Sequence, residues 1–206
     1  MSKKLIIAFE GVEGSGKSFH LKQVAKYLKS KKIKFITLRE PGGSKNSEKI
    51  RKLILNNKSN FNKKTDLLLY LASRSENIEK IIKKNYRKKI ILIDRFVDST
   101  LAYQHYGMGI NLNLINQMNK FIIENFKANL TILSVVNKKN MNKRLNMRKN
   151  INKYDKFNYS FYNKVQKGFL KISKKNKNYI IIDSNKKSIK ENSAIIIKKI
   201  EKLISK

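Results

Sequence analysis

The sequence of 206 residues has no cysteine, only one proline and no long hydrophobic run. The lack of cysteine excludes disulfide bonds and thiolate metal sites, and fits a reducing cytoplasm. The apolar stretch at 5–9 is too short for a signal peptide or a membrane span. No Pro- or Gly-rich linker and no internal repeat divide the chain. We therefore predict a soluble, cytoplasmic protein without a membrane partner, and one domain over residues 1–206.

Acidic residues are also scarce, since 14 Asp and Glu stand against 48 Lys and Arg, which gives a net charge of +34. This charge fits either a nucleic-acid or anionic-membrane partner, or a general enrichment in Lys, Asn and Ile. The lysines lie in nearly every segment instead of one stripe with interleaved aromatics, which favours general enrichment. We expect no dedicated nucleic-acid partner, although the positive potential would speed the capture of phosphorylated substrates.

Short apolar runs alternate with longer segments of helical spacing. Five runs rich in Ile and Leu are predicted as buried strands, at 5–9, 33–38, 90–93, 130–136 and 179–182. Helices are predicted at 19–30, 66–83, 112–126, 160–173 and 189–204. This alternation predicts an α/β fold in which a five-stranded parallel sheet has helices on both faces.

A complete G-x-x-x-x-G-K-[ST] pattern, the P-loop, lies between the first strand and the first helix. Its glycines let backbone N–H groups turn towards phosphate oxygens at a helix N-terminus. Lys17 would reach the β- and γ-phosphates, and the Ser18 hydroxyl would bind Mg²⁺. The alternative, a chance Gly-rich turn, does not explain the strand and helix around it. The predicted ATP-binding residues are Gly11, Val12, Glu13, Gly14, Ser15, Gly16, Lys17 and Ser18.

The second predicted strand ends in Arg39-Glu40-Pro41-Gly42-Gly43. Parallel sheets place ligand sites at the carboxyl ends of their strands. The segment is either a plain turn or a rigid wall for an acceptor nucleotide, with a cis peptide bond before Pro41 as one option.

The third predicted strand leads into the segment 94–104, which begins with Asp94 and Arg95. A carboxylate that ends a buried strand beside a P-loop is a candidate Mg²⁺ ligand, and the neighbouring arginine can bind a phosphate with two N–H groups. Asp94 as the N-terminal cap of the next helix is the alternative.

Tyr70 and Arg74 are four residues apart and would share one helical face. They could stack on a base and hydrogen-bond its edge. On spacing alone, an ordinary core aromatic beside an exposed arginine is the preferred explanation.

The segment 137–159 follows the fourth strand and is rich in Asn and Lys. It is either a solvated helix and loop or a lid that brings cations to a phosphate chain. Arg144 and Arg148, four residues apart, are predicted on one helical face as the lid's catalytic charges.

In this order and at these intervals, the segments 11–18, 39–43, 70–74 and 94–104 resemble the thymidylate kinase family over nearly the whole chain. The resemblance implies transfer of the γ-phosphate of ATP to dTMP with Mg²⁺, in dTTP synthesis, by a homodimer. Arg95 would hold the dTMP phosphate, Arg74 would contact the thymine edge, and Tyr103 would exclude a 2′-hydroxyl. The implied dTMP-binding residues are Glu13, Glu40, Pro41, Tyr70, Arg74, Arg95, Ser99, Thr100, Tyr103 and Gln104.

The sequence also departs from the family pattern. Asp155-Lys156 replaces the usual Asp-Arg, Ser134-Val135 replaces an acidic strand end, and Tyr70 replaces a stacking Phe. The small Ser15 resembles the members that rely on lid arginines. We thus predict Lys17, Arg95, Arg144 and Arg148 as catalytic residues, and Ser18 with Asp94 at the metal.

Two other functions remain open at this point. One is a P-loop kinase that acts on another nucleotide or on a deoxynucleoside. The other is a P-loop protein that binds nucleic acid through its positive charge.

Overall fold

The computed structural model describes residues 5–148 and 152–205. Five strands form one parallel sheet in the order β2-β3-β1-β4-β5. The strands are β1 (Ile6–Glu10), β2 (Phe35–Arg39), β3 (Ile90–Asp94), β4 (Leu130–Val135) and β5 (Tyr179–Asp183). All five predicted strands are confirmed, with ends shifted by at most two residues.

Nine α-helices are found within the described residues: α1 (Lys17–Ser30), α2 (Lys45–Leu55), α3 (Lys63–Asn77), α4 (Lys83–Asn85), α5 (Val97–Thr100), α6 (Leu112–Ile123), α7 (Lys138–Asn146), α8 (Tyr159–Lys174) and α9 (Ile189–Ser205). A π-helical segment, Ile78–Ile82, joins α3 to α4, and a second one, Leu101–Gly107, continues α5. A short 3₁₀ turn, Lys153–Lys156, precedes α8. The predicted helices are confirmed, whereas α2 and the helical segment 97–107 were not predicted.

Apolar side chains of β1 point alternately to the two faces of the sheet, which explains why helices cover both faces. Ile7 and Phe9 pack on one side in a core with residues of α1 and α9. Ile6 and Ala8 point to the other side, where they pack with Ile78 and with residues of α6. Because successive side chains of a strand point to opposite faces, a fully apolar strand needs cover on both.

The carboxyl ends of three strands lie next to one another. Asp94 is paired in register with Phe9 of β1 and with Arg39 of β2. The P-loop, the turn after β2 and the segment after β3 therefore leave the sheet at one edge. The Glu40–Pro41 peptide bond is cis, as the sequence suggested. Over residues 5–148 and 152–205, no helix combines the length and the apolar character needed to cross a membrane.

Candidate active site

The P-loop has the backbone geometry of an anion-binding turn. Gly11 has φ 139°, and a Cβ there would lie 2.3 Å from the Ser134 carbonyl oxygen, so only glycine fits. Gly16, with φ 93°, is the N-cap of α1 and provides no side-chain hydrogen bond. The first N–H groups of α1 are therefore left for a ligand, at the positive end of the helix dipole.

Lys17 begins α1 and is buried, with 7% of its surface exposed. Burial lowers the pKa of Lys17 to about 8, and the nearby charge of Arg95 adds to this effect. Burial alone would raise the pKa of Glu13, but Arg95 and Lys17 hold that pKa below its usual value. The mouth of the P-loop thus contains two cations and one carboxylate at close range.

Arg95 lies between the P-loop and the segment after β3, with φ 68°. One terminal nitrogen, Nη1, donates to the Gly11 carbonyl at 3.0 Å and to Ser99 Oγ at 3.1 Å. The other, Nη2, donates to Glu13 Oε1 at 2.6 Å and to the Tyr103 hydroxyl at 3.2 Å. The Tyr103 hydroxyl itself donates to Glu13 Oε2. The N–H on Nε is the arginine donor not used in these contacts.

Arg74 is almost completely buried, with 1% of its surface exposed. Its Nε donates to Glu40 Oε2 at 2.7 Å, its Nη2 to the Phe96 carbonyl at 2.9 Å, and its Nη1 to Asn119 Oδ1 at 2.6 Å. The ordinary explanation of an exposed arginine is therefore wrong, because three acceptors from distant segments compensate the buried charge.

Ser18 and Asp94 meet at the end of β3, where Ser18 Oγ donates to Asp94 Oδ2 at 2.5 Å. The sequence left open that Asp94 caps the helix after β3, but Glu10 caps that helix instead. Glu10 Oε1 accepts from the Phe96 N–H at 2.7 Å, and Glu10 Oε2 accepts from Ser99 Oγ at 2.5 Å. A hydroxyl and a carboxylate beside a phosphate site fit Mg²⁺, which prefers one or two protein oxygens plus phosphate oxygens and water.

One cavity of about 180 Å³ joins these groups. Its lining includes Lys17, Ser18, Asp94 and all ten residues implied for dTMP binding. Arg74 and Arg95, the two arginines implied for dTMP binding, thus line the same space as Lys17.

The two predicted lid arginines do not share a helical face, and that prediction is wrong. The helix α7 ends at Asn146, so Arg148 lies beyond it. Arg144 donates to the Gly14 carbonyl at 2.8 Å and to the Ser184 carbonyl at 3.3 Å, behind the P-loop. Arg148 lines the cavity and pairs with Asp155. The side chain of Lys156 and residues 149–151 of the predicted lid lie outside the described residues.

The family model for thymidylate kinase matches residues 9–196 of this chain. The chain belongs to the thymidylate kinase family. The thymidylate kinase of Thermosipho africanus is 39% identical over 183 residues, which cover 88% of this chain and 90% of that protein. That of Clostridium novyi is 38% identical over 185 residues, covering 87% and 90%. The crystal structure of thymidylate kinase from Ehrlichia chaffeensis superposes with a TM-score of 0.79 at 32% identity, over 97% of this chain and 99% of that one.

Several cavity residues of this thymidylate kinase family member were missed from the sequence. Arg51 of α2 lines the cavity and donates to the Pro41 carbonyl at 2.6 Å. Tyr154, in the 3₁₀ turn, is 3% exposed and closes the cavity beside Tyr70, with ring centroids 5.9 Å apart. The spacing of Ile50 and Ile54 could have indicated the helix that carries Arg51, whereas no local pattern marks Tyr154.

Proposed function

We propose residue roles in the reaction of this family, in which the γ-phosphate of ATP is transferred to dTMP to give dTDP for dTTP synthesis. The observation that carries the proposal is the single cavity lined by Lys17, Arg95 and the whole implied dTMP set. Two anionic ligands can meet there end to end, because the P-loop and the acceptor residues open on the same space.

On the donor side, the P-loop N–H groups and Lys17 hold the β- and γ-phosphates. Ser18 and Asp94 are the residues that would hold Mg²⁺, which neutralises charge on the phosphate oxygens when it is bound. Their contact at 2.5 Å supports this role, since it brings two hard oxygen donors together beside Lys17.

On the acceptor side, Arg74 and Gln104 face the base and Tyr70 stacks on it. Gln104 is 2% exposed, and its Nε2 has no hydrogen-bond partner within the described residues. A buried amide without a partner costs stability unless a ligand completes it. Pro41 and Thr100 form the walls of the pocket, and Tyr103 fills the space that a 2′-hydroxyl would need.

The phosphate of dTMP binds Arg95, which lines the cavity and whose Nε–H is not used in the contacts described above. Phosphoryl transfer needs positioning and charge stabilisation more than covalent chemistry from the protein. Lys17, Arg95 and Arg148 line the cavity and supply that charge. Arg144 acts through the P-loop, because its guanidinium contacts the Gly14 carbonyl.

The function is tested by ADP release with Mg²⁺, using dTMP, dUMP, UMP, CMP and thymidine as acceptors. We expect dTMP to be the preferred acceptor. A preference for another nucleotide or for thymidine would overturn the assignment of dTMP as the acceptor. Tight, salt-dependent oligonucleotide binding without dTMP turnover would instead favour a nucleic-acid-binding protein.

The pKa of Lys17 predicts that ATP binding weakens at alkaline pH. With the pKa lowered to about 8 in the free site, Lys17 is protonated below that pH and neutral above it. Bound phosphate favours the protonated form, so the Kd of ATP should be flat below about pH 7 and rise towards tenfold per unit above about pH 8. Titration calorimetry across this range measures the effect. A Lys17→Arg variant, which stays charged, should lose the pH dependence, and a flat curve for the wild type would contradict the prediction.

A second copy of the chain is the proposed partner of the apolar face formed by α6 and α3. Phe121 is 85% exposed, and Leu114 on the same face of α6 is 47% exposed. Leu68 of the adjacent α3 is 55% exposed. We expect Phe121→Glu to convert a homodimer into a monomer in sedimentation experiments, because it places a charge in an apolar contact.

The matched control is Ile195→Glu on α9, across the sheet, where Ile195 is 39% exposed. This variant should remain dimeric. A wild-type monomer, or a dimer that Phe121→Glu leaves intact, would exclude this face as the interface.

The single domain over residues 1–206, the lid at 137–159 and the cytoplasmic location stay predictions.

A further inference from the structure

The guanidinium of Arg74 is held by three acceptors that differ in one respect. Glu40 and Phe96 line the cavity, whereas Asn119 does not. Asn119 lies on the inner face of α6, is 3% exposed, and accepts from Arg74 Nη1 at 2.6 Å. It therefore holds the arginine from the side away from the ligand space.

The contacts made by Asn119 suggest that it is not there for packing. Its Oδ1 accepts from Arg74, but its Nδ2 has no hydrogen-bond partner within the described residues. A buried amide group without a partner is costly, and each such group in a folded protein calls for a reason. Over residues 5–148 and 152–205, the contact with Arg74 is the only one that uses the polarity of the Asn119 side chain.

An arginine side chain has five N–H donors, and three of those of Arg74 are used by the protein. Since the guanidinium is planar and rigid, fixing three N–H groups also fixes the directions of the other two, one on each terminal nitrogen. Removing the acceptor at Nη1 would leave the rigid group held at Nε and Nη2 alone. The whole guanidinium could then tilt, and the two donors left for a ligand would be less precisely directed.

We propose that Asn119 is a positioning residue for base selection, which orients Arg74 so that its free donors meet a carbonyl oxygen on the base edge. The inference rests on the proposed function. Thymine presents the acceptor O4 where cytosine presents an amino donor, and an arginine, which only donates, can bind the first but not the second. Asn119 would thereby help the site to choose dTMP over dCMP.

The experiment compares kcat and KM of the full chain for dTMP, dCMP and ATP in two variants. Asn119→Leu removes the acceptor at similar size and should raise the KM for dTMP about tenfold, with kcat and the KM for ATP nearly unchanged. The ratio of kcat/KM for dTMP to that for dCMP should fall by about the same factor. Asn119→Asp keeps an acceptor oxygen in place and should restore both values.

Asn116→Leu provides the matched control, because Asn116 is exposed on the same helix. It should behave as the wild type. The inference would be overturned if Asn119→Leu kept the wild-type ratio, if it raised the KM for ATP as much as that for dTMP, or if Asn119→Asp were equally impaired. A wild-type chain without dTMP turnover would instead overturn the proposed function. Melting curves by circular dichroism show that each variant is folded.

Discussion

Replacing Lys17 by alanine should lower kcat about a thousandfold while the fold is retained. Lys17 starts α1 inside the P-loop and lines the cavity at the point where the phosphate chain is expected. A preorganised charge in a water-poor site contributes far more to the transition state than the same charge would in water. The loss should therefore appear mainly in turnover, measured by ADP release with saturating dTMP and Mg²⁺.

The stability of this variant should not fall, because the lysine is costly to bury. Its lowered pKa means that the folded protein disfavours the charged form of Lys17. Alanine removes that cost and is a good helix former. The matched control is Lys26→Ala, which changes an exposed lysine on the same helix and should leave turnover unchanged. A Lys17→Ala variant with near-normal kcat, or one that no longer folds, would contradict this account.

The layers of the fold were predictable from the sequence because they depend on local patterns. Apolar runs of strand length and segments of helical spacing are properties of neighbouring residues. The order β2-β3-β1-β4-β5 is a matter of tertiary pairing, and no periodicity specifies it. The helix α2 was missed because Lys45–Leu55 is short and carries few apolar residues, so its pattern is weak.

The site was predictable where its residues cluster in motifs, and not where they act alone. The segments that contain Glu13, Arg74 and Arg95 were found from local strings and resemblance, and all three residues line the cavity. Asn119 has no such mark, since it is one of several asparagines along α6. Its role depends on a contact with Arg74 across 45 residues of sequence, and only the packing of α6 against α3 creates it.

The segment predicted as a lid was the least predictable part of the site. Four-residue spacing places two side chains on one face only while the helix continues. The helix α7 stops at Asn146, and the two arginines then have different partners, the Gly14 carbonyl for Arg144 and Asp155 for Arg148. Helix ends depend on capping and tertiary contacts, which an Asn- and Lys-rich sequence does not reveal.

Replacing Arg95 by alanine should raise the KM for dTMP about a hundredfold and that for ATP less than about threefold. Two effects add up on the acceptor side. The variant removes the cation proposed to bind the dTMP phosphate, and it leaves Glu13 without its ion-pair partner at 2.6 Å. Without that cation, the Glu13 carboxylate would repel the phosphate of dTMP, which is proposed to bind beside Arg95. Steady-state kinetics with each substrate varied in turn measure both constants.

A second substitution separates the two effects. In the double variant Glu13→Gln/Arg95→Ala the unpaired charge is absent, so the KM for dTMP should recover in part, by about tenfold. Arg95→Lys keeps the charge but loses the paired N–H contacts. Its KM for dTMP should lie between that of the wild type and that of Arg95→Ala. Arg87→Ala, an exposed arginine ahead of β3, is the control and should have no effect. Equal increases in both KM values would show that Arg95 serves the two nucleotides together, because a residue confined to the acceptor site cannot weaken donor binding by the same factor.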